Sequence, residues 1–296
     1  MPRVRPRRAV DIRRAVGLFA EAAPSLPVVT TKTFLSASRP LLVPAYGAGR
    51  DSTALLIELH RRGIVPDLIL FADTGSERPE TNRYLPVINE WLGGVGFPQV
   101  TVVKKASPKV GDTSLEAECL RKGMLPSISY GGHSCSAKWK AQPQEKFLNN
   151  WMPARVSWKR RERLVRAIGY EADECGRIAR AQTYQSQRPS KKFLYWHPLH
   201  EWGMTLSDCI DTIKAAGLPV PVKSSCYFCG AAKKDEIEQL AALHPDLFLR
   251  ALMLEQKAAP SNKSVKGLGR NFAWRDLPSA APFLVQISRQ TTQLAA

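Results

Sequence analysis

The sequence predicts an α/β fold: a doubly wound, mostly parallel five-stranded sheet with a cysteine-bearing helical part toward the C-terminus. Three observations predict it. Short apolar runs alternate with helical patterns from residue 41 onward. The second run, "PDLILFADTG", is continuously apolar, as a strand buried on both faces must be. The chain has 296 residues, 44% of them hydrophobic, enough to bury a full core.

Each element follows in order. Residues 41–46 read as a strand and 52–62 as a helix, with leucines and isoleucine at helical spacing. The second strand covers 66–75, a helix 81–92, and "QVTVVKK" (99–105) the third strand. Residues 106–135 are loop-rich with a short helix near 114–122, and "KWKAQPQEKFLNNW" holds a helix started or interrupted near Pro143. The fourth strand is 163–172 and the fifth 193–199. A helix over 205–217 stops at a glycine, and 232–257 is helical with a break at His244-Pro245. The expected organisation is a basic arm (1–38), a nucleotide-binding domain (39–257) with a C-x-x-C region at 223–230, and a basic irregular tail (258–296).

Charge narrows the partners. The net charge is +17; six arginines fall in the first 14 residues, and "RVSWKRRERLVR" (155–166) places six more cations around a tryptophan. Such a field attracts polyanions, and nucleic acid is the expected partner. In the tail, Lys266, Arg270, Trp274 and Arg275 suit backbone charges and base stacking. No apolar run reaches the ~20 residues of a membrane-spanning helix, and the basic start lacks the apolar core of a signal peptide. A cytoplasmic protein with reduced thiols is therefore expected, its six cysteines being too sparse for a disulfide framework.

The stretch "YGAGRDST" (46–53) joins the first strand to the first helix. Gly47 and Gly49 permit close approach of a ligand to the backbone. Asp51 or Ser52 can cap the helix, whose first amides then offer an anion site. An ordinary strand-to-helix turn has the same glycines, so the loop alone leaves both readings open.

Four later stretches end the other strands or close the series: "DTGSERPET" (73–81), "HSCSAKWKAQP" (133–143), "IGYEADECGR" (168–177) and "PLHEW" (198–202), followed by "KSSCYFCG" (223–230). In this order, over about residues 40–257, they resemble the PP-loop ATP-pyrophosphatase superfamily, with its adenine-nucleotide alpha-hydrolase-like fold. Within it they resemble the phosphoadenosine-phosphosulfate-reductase family, which includes sulfonucleotide reductases and the sulfur-transfer proteins of DNA phosphorothioation. The resemblance implies a pyrophosphate-binding loop usually written S-G-G-x-D-S; Gly47 replaces the serine and Ala48 the first glycine, while Gly49, Asp51 and Ser52 match. It implies that ATP and Mg²⁺ bind at Tyr46, Gly47, Ala48, Gly49, Asp51, Ser52 and Thr53, with Asp73, Thr74, Gly169 and Glu174 completing the site. Arg50, Asp51, Ser52, Lys138 and Arg177 are the implied catalytic residues. Glu80 and Thr81 match "PET", and Glu171 stands where some members carry an arginine.

Taken alone, the C-x-x-C of Cys226 and Cys229 is compatible with redox chemistry, zinc or iron–sulfur. The resemblance implies a [4Fe–4S] cluster on Cys135, Cys226 and Cys229, with Ser134 where iron–sulfur reductases have a further cysteine. Zinc held by these cysteines with His133 is the alternative. Cys119 and Cys209 read as helix-face and core residues, and Cys175 as filler or a reactive thiol. The expected function is adenylation of an acceptor with pyrophosphate release, then sulfur transfer, with nucleic acid as acceptor, a possible sulfur-donor protein and a possible homodimer. A sulfonucleotide reductase is the second reading, although no cysteine follows Cys229 to act as its nucleophile. A nucleotide- or nucleic-acid-binding module with structural zinc is the third.

Overall fold

The computed structural model describes residues 28–36, 38–105 and 111–287. Five strands, β1 Leu42–Tyr46, β2 Ile69–Asp73, β3 Val100–Lys104, β4 Leu164–Ala167 and β5 Phe193–Trp196, form one sheet in the order β3-β2-β1-β4-β5. Every pairing is parallel. The direction of winding reverses between β1 and β4, so a crevice opens there at the carboxyl ends of the strands.

Alternation along each strand divides two cores. Leu42 and Tyr46 of β1, Phe71 of β2 and Val165 of β4 pack on one side, with α1 (Arg50–Arg61), α2 (Pro79–Gly94) and, further along the chain, Ile213. Val43, Leu70 and Leu164 face the other side, against Leu148 and Ala154. Strand β2 is buried along its first four residues, as its continuous apolar run requires.

The other helices are α3 (Leu115–Lys122), the short α4 (Ser134–Ser136), α5 (Gln142–Asn150), α6 (Met152–Lys159), α7 (Cys175–Gln187), α8 (Pro198–Glu201), α9 (Leu206–Ala215), α10 (Lys234–Leu243) and α11 (Pro245–Ala258). A π-turn at Ala137–Ala141 joins α4 to α5. Pro198 starts α8 and shortens the fifth strand relative to expectation. The sequence reading had no helix at 175–187. Only Ile178 of α7 is buried, so the segment lacks the apolar stripe that signals a helix.

A third core, around Trp139, Phe228, Phe248, Leu252 and Trp274, belongs to the cysteine-bearing helical part. Its tail segment is ordered by one carboxylate. Buried Glu255 accepts from the backbone N–H groups of Leu268, Trp274 and Arg275. Trp274 is fully buried and stacks on Phe248 at 6.3 Å, so it cannot stack a nucleic-acid base as expected from the sequence. Its burial follows from the apolar faces of α10 and α11, which need a lid.

Most of the expected basic arm lies outside the described residues. Of its end, Phe34 is buried against Trp196 at 4.8 Å, and Thr31 bonds Glu201 and Trp202. The 155–166 run is divided. Arg155, Lys159, Arg160 and Arg161 are exposed, but Arg166 lies inside β4, bonded to Gln144, with its guanidinium pulled down to about 10 by burial. The exposed part immediately precedes β4 and therefore sits at the amino edge of the sheet, opposite the crevice. No helix among the described residues is long and apolar enough to cross a membrane.

Candidate active site

The loop after β1 folds around one hydroxyl. Ser52 Oγ accepts from the N–H groups of Gly47 (3.1 Å) and Gly49 (3.4 Å) and donates to the Gly49 carbonyl (3.2 Å). Helix α1 begins at Arg50, so Asp51 and Ser52 lie within its first turn and neither is its cap, contrary to the sequence expectation. Ala48 is buried with φ at 56°, the left-handed conformation that glycine adopts most cheaply. A side chain at Gly49 would meet Ser224 of the cysteine-bearing loop at 3.3 Å. Tyr46 and Thr53 bond each other through their hydroxyls beneath the loop and are buried, so their side chains support it from below.

Gly169, at the end of β4, packs on the backbone of Asp51 and Ser52: an added Cβ would lie 3.1 Å from Asp51. Its role is close approach to the loop. Beyond it, Asp51, Glu171 and Cys209 bring ligand atoms within 4.8 Å of one another. Burial raises the Asp51 carboxyl, and Glu174 adds to the shift. Glu171 is pushed up to about 7 by burial and then by Asp51 and Glu174. Burial also pushes the Cys209 thiol up to about 12. One oxygen each of Glu171 and Glu174 is buried without a hydrogen-bond partner. Glu171 became legible only once the fold placed it beside Asp51.

Arg177 pairs with Glu174 at 2.7 Å and lies 4.2 Å over the Tyr170 ring. Tyr170 stacks on His197 at 5.1 Å. Half-buried His197 is pulled down to about 4 by desolvation and then by His200 and Arg177, and its Nε2 has no partner. A neutral imidazole at the carboxyl end of β5 is thus available for hydrogen bonding.

The segment after β2 reaches the cysteine-bearing loop as well as the crevice. Asp73 accepts from the Gly75 N–H (2.7 Å) and pairs with Lys104 (2.8 Å). Gly75 has φ +67°, and an added Cβ would lie 2.8 Å from Ser114, where α3 docks. Buried Thr74 donates to Glu77 at 3.1 Å and lies 3.4 Å from Cys226 Sγ. Glu77 and Cys226 form an antiparallel bridge, and Tyr227 N–H donates to the Ser76 carbonyl. Lys140 pairs with Glu77 at 3.1 Å. Glu80 and Thr81 begin α2; Glu80 bonds His244.

Cys226 and Cys229 share a turn in which Cys229 N–H donates to the Cys226 carbonyl. Burial pushes both thiols up; Glu77 opposes the Cys226 thiolate further, whereas Lys140 favours both thiolates. Cys135 approaches from α4, its N–H donating to Ser127 Oγ at 2.8 Å, and its proximity adds to the upward shift of the Cys229 thiol. Among the described residues, the three cysteines do not form a group whose sulfurs all lie within 4.8 Å. A single zinc with bonds of about 2.3 Å would draw tetrahedral sulfurs to roughly 3.8 Å. His133 is exposed and joins no such group. Lys138 points elsewhere: it donates to Glu118 at 2.5 Å, together with Lys105, Lys122 and the Trp139 indole. These four donors hold the Glu118 carboxyl far below its ordinary range despite its burial.

No family model and no curated protein matches this chain. Solved structures are similar to it. The crystal structure of a phosphoadenylyl-sulfate (PAPS) reductase from Candida auris, a phosphate complex, shares 15% identity, with 65% of this chain and 82% of that chain covered and a TM-score of 0.38. The U34-tRNA thiolase NcsA from Methanococcus maripaludis, with its [4Fe-4S] cluster, shares 12% identity, with 84% and 80% covered and a TM-score of 0.43. At these scores the chemistry has to be read from this chain's own residues.

Proposed function

We propose that this chain is a PP-loop enzyme of the phosphoadenosine-phosphosulfate-reductase family that binds ATP, adenylates an acceptor with release of pyrophosphate, and delivers sulfur to the activated position. The single observation that carries the reading is the loop at 47–53. It is bound onto Ser52, strained at Ala48, and seated where β1 and β4 diverge. Strain kept beside an anion-ready helix start in a crevice marks a functional loop rather than an ordinary turn.

The chemistry follows from the neighbours. Backbone N–H groups of the loop and the Arg50 guanidinium stabilise charge gathering on the departing pyrophosphate. Asp51 and Glu171 would hold Mg²⁺, a hard cation that takes one or two carboxylates together with substrate phosphates; the thiol of Cys209 is a poor ligand for it. An acceptor oxygen attacks the α-phosphorus, the bond to the β-phosphate oxygen breaks, and pyrophosphate leaves. Sulfur then displaces AMP from the acceptor.

Cys135, Cys226 and Cys229 would hold the [4Fe–4S] cluster. They come from two segments beside the same strand end, and Lys140 supplies a cation to the C-x-x-C thiolates. A bound cluster with one iron free of protein thiolate would supply a site for sulfide. The net charge of +17 supports a nucleic-acid acceptor. The test is anaerobic purification. Brown protein with about four irons, whose colour is lost in each of Cys135→Ala, Cys226→Ala and Cys229→Ala but kept in His133→Ala, supports the assignment. Colourless protein with one zinc, lost in His133→Ala, would replace it with the zinc-bearing binding module.

A further inference from the structure

We propose that Arg78, with Arg50 and Lys223, forms a second oxyanion site that takes a phosphate-class ligand, separate from the amide cradle of the loop. A cavity of about 240 Å³ lies between the start of α1, the irregular segment 220–225 and α10. Arg50, Arg78, Lys223, Ser225, Glu236 and Gln239 line it. Three cations thus face one carboxylate.

Arg78 is the centre of the case. It caps the start of α2 and is only 7% exposed. Its N–H donates to the Ser225 carbonyl at 3.2 Å, and Nη2 donates to the Glu236 carbonyl at 3.0 Å. The first bond is made by the backbone and anchors the segment, the second holds one end of the guanidinium, and the buried Nε has no hydrogen-bond partner. A buried guanidinium held at one end with an idle donor needs an acceptor. The nearby carboxylates do not supply one. Glu236 takes Lys223 at 3.0 and 3.1 Å and the Lys233 N–H at 2.9 Å. Glu80 bonds His244 through one oxygen; its other oxygen is buried without a partner and makes no hydrogen bond to Arg78.

A planar guanidinium fork beside a second arginine and an ammonium matches the oxygens of phosphate or pyrophosphate. Arg50 opens α1 and so connects this cavity to the loop 47–53. The site shares Arg50 with the ATP reading but does not require it. Its ligand is either free phosphate and pyrophosphate or a backbone phosphate of a polynucleotide.

The experiment is calorimetric titration of the full-length protein with inorganic pyrophosphate. Arg78→Gln is expected to raise the Kd at least about tenfold, the loss of one charge-assisted contact. Arg78→Lys should recover only part of the affinity. Lys223→Ala, at a half-exposed position that tolerates truncation, should also weaken binding, because it frees Glu236 to repel the anion. Unchanged affinity in Arg78→Gln overturns the proposal; should that variant not fold, unchanged affinity in Lys223→Ala overturns it. Displacement of pyrophosphate by a single-stranded oligonucleotide identifies a polynucleotide phosphate as the ligand, and no displacement identifies the free anion. ATP binding by Ser52→Ala reports the nucleotide reading separately.

Discussion

Glu77 and Cys226 face each other across a single antiparallel bridge, 149 positions apart in sequence, and Lys140 closes on Glu77 from a third segment. The strand end that should meet the nucleotide and the loop that carries the thiols are thereby one rigid unit. In Lys140→Met the Glu77 carboxylate stays buried with one oxygen already unpartnered. A loss of about 2 kcal/mol or more is expected in urea unfolding, below the full cost of a deeply buried pair because Lys140 is partly exposed. Adding Glu77→Gln should restore part of it. Equal stability of parent and single variant would show that the pair does not hold the unit together.

Ala48 stands where the S-G-G-x-D-S pattern that the loop resembles has glycine. Left-handed backbone costs an L-residue roughly 1–2 kcal/mol, and Gly gives back some of that gain through the unfolded chain. Ala48→Gly is therefore expected to remain within about 1 kcal/mol of the parent, whereas Ala48→Val should lose about 2 kcal/mol or more and weaken ATP binding. Thermal melts of the two variants check both signs. A clear destabilisation by glycine would mean that the buried methyl group matters more than the φ angle.

Much of the fold was legible because its sheet obeys simple periods. The alternation of Leu42, Val43 and Tyr46 and the continuous run of β2 place both faces of the sheet. The loop 47–53 and the C-x-x-C stood out by residue type, while their chemistry came only from the resemblance of the ordered motifs. Three features were hidden because they depend on long-range packing. Helix α7 buries too little to show a stripe; Trp274 is drawn inward by Glu255 and Phe248; and Glu171 meets Asp51 only after β4 pairs with β1. Lys138 was singled out in the sequence only by a resemblance, and Glu118 holds it in space.

Glu171 carries a pH signature. Its folded pKa, about 7, lies above its ordinary value of 4.5, so the native protein holds the proton more tightly than the unfolded chain. The sign follows: this stabilisation is fully present below about pH 4.5 and is lost as pH rises through about 7. Comparing Glu171→Gln with the parent cancels the opposite trend from His197, which both proteins share. The stability of the parent relative to the variant should fall across that window, measured without divalent cations. A flat difference would show that Glu171 is solvated like a surface acid.

The central claim is that ATP binds on the loop between Gly47 and Thr53. Equilibrium titration of the parent protein with Mg·ATP tests it most directly, alongside Asp51→Asn combined with Ser52→Ala. The expected result is one saturable site in the parent and at least about a hundredfold weaker binding in the double variant, from lost charge-assisted contacts, with its melting cooperative. Binding of ATP by the folded double variant with the parent's affinity, or no binding by the parent at all, would contradict it.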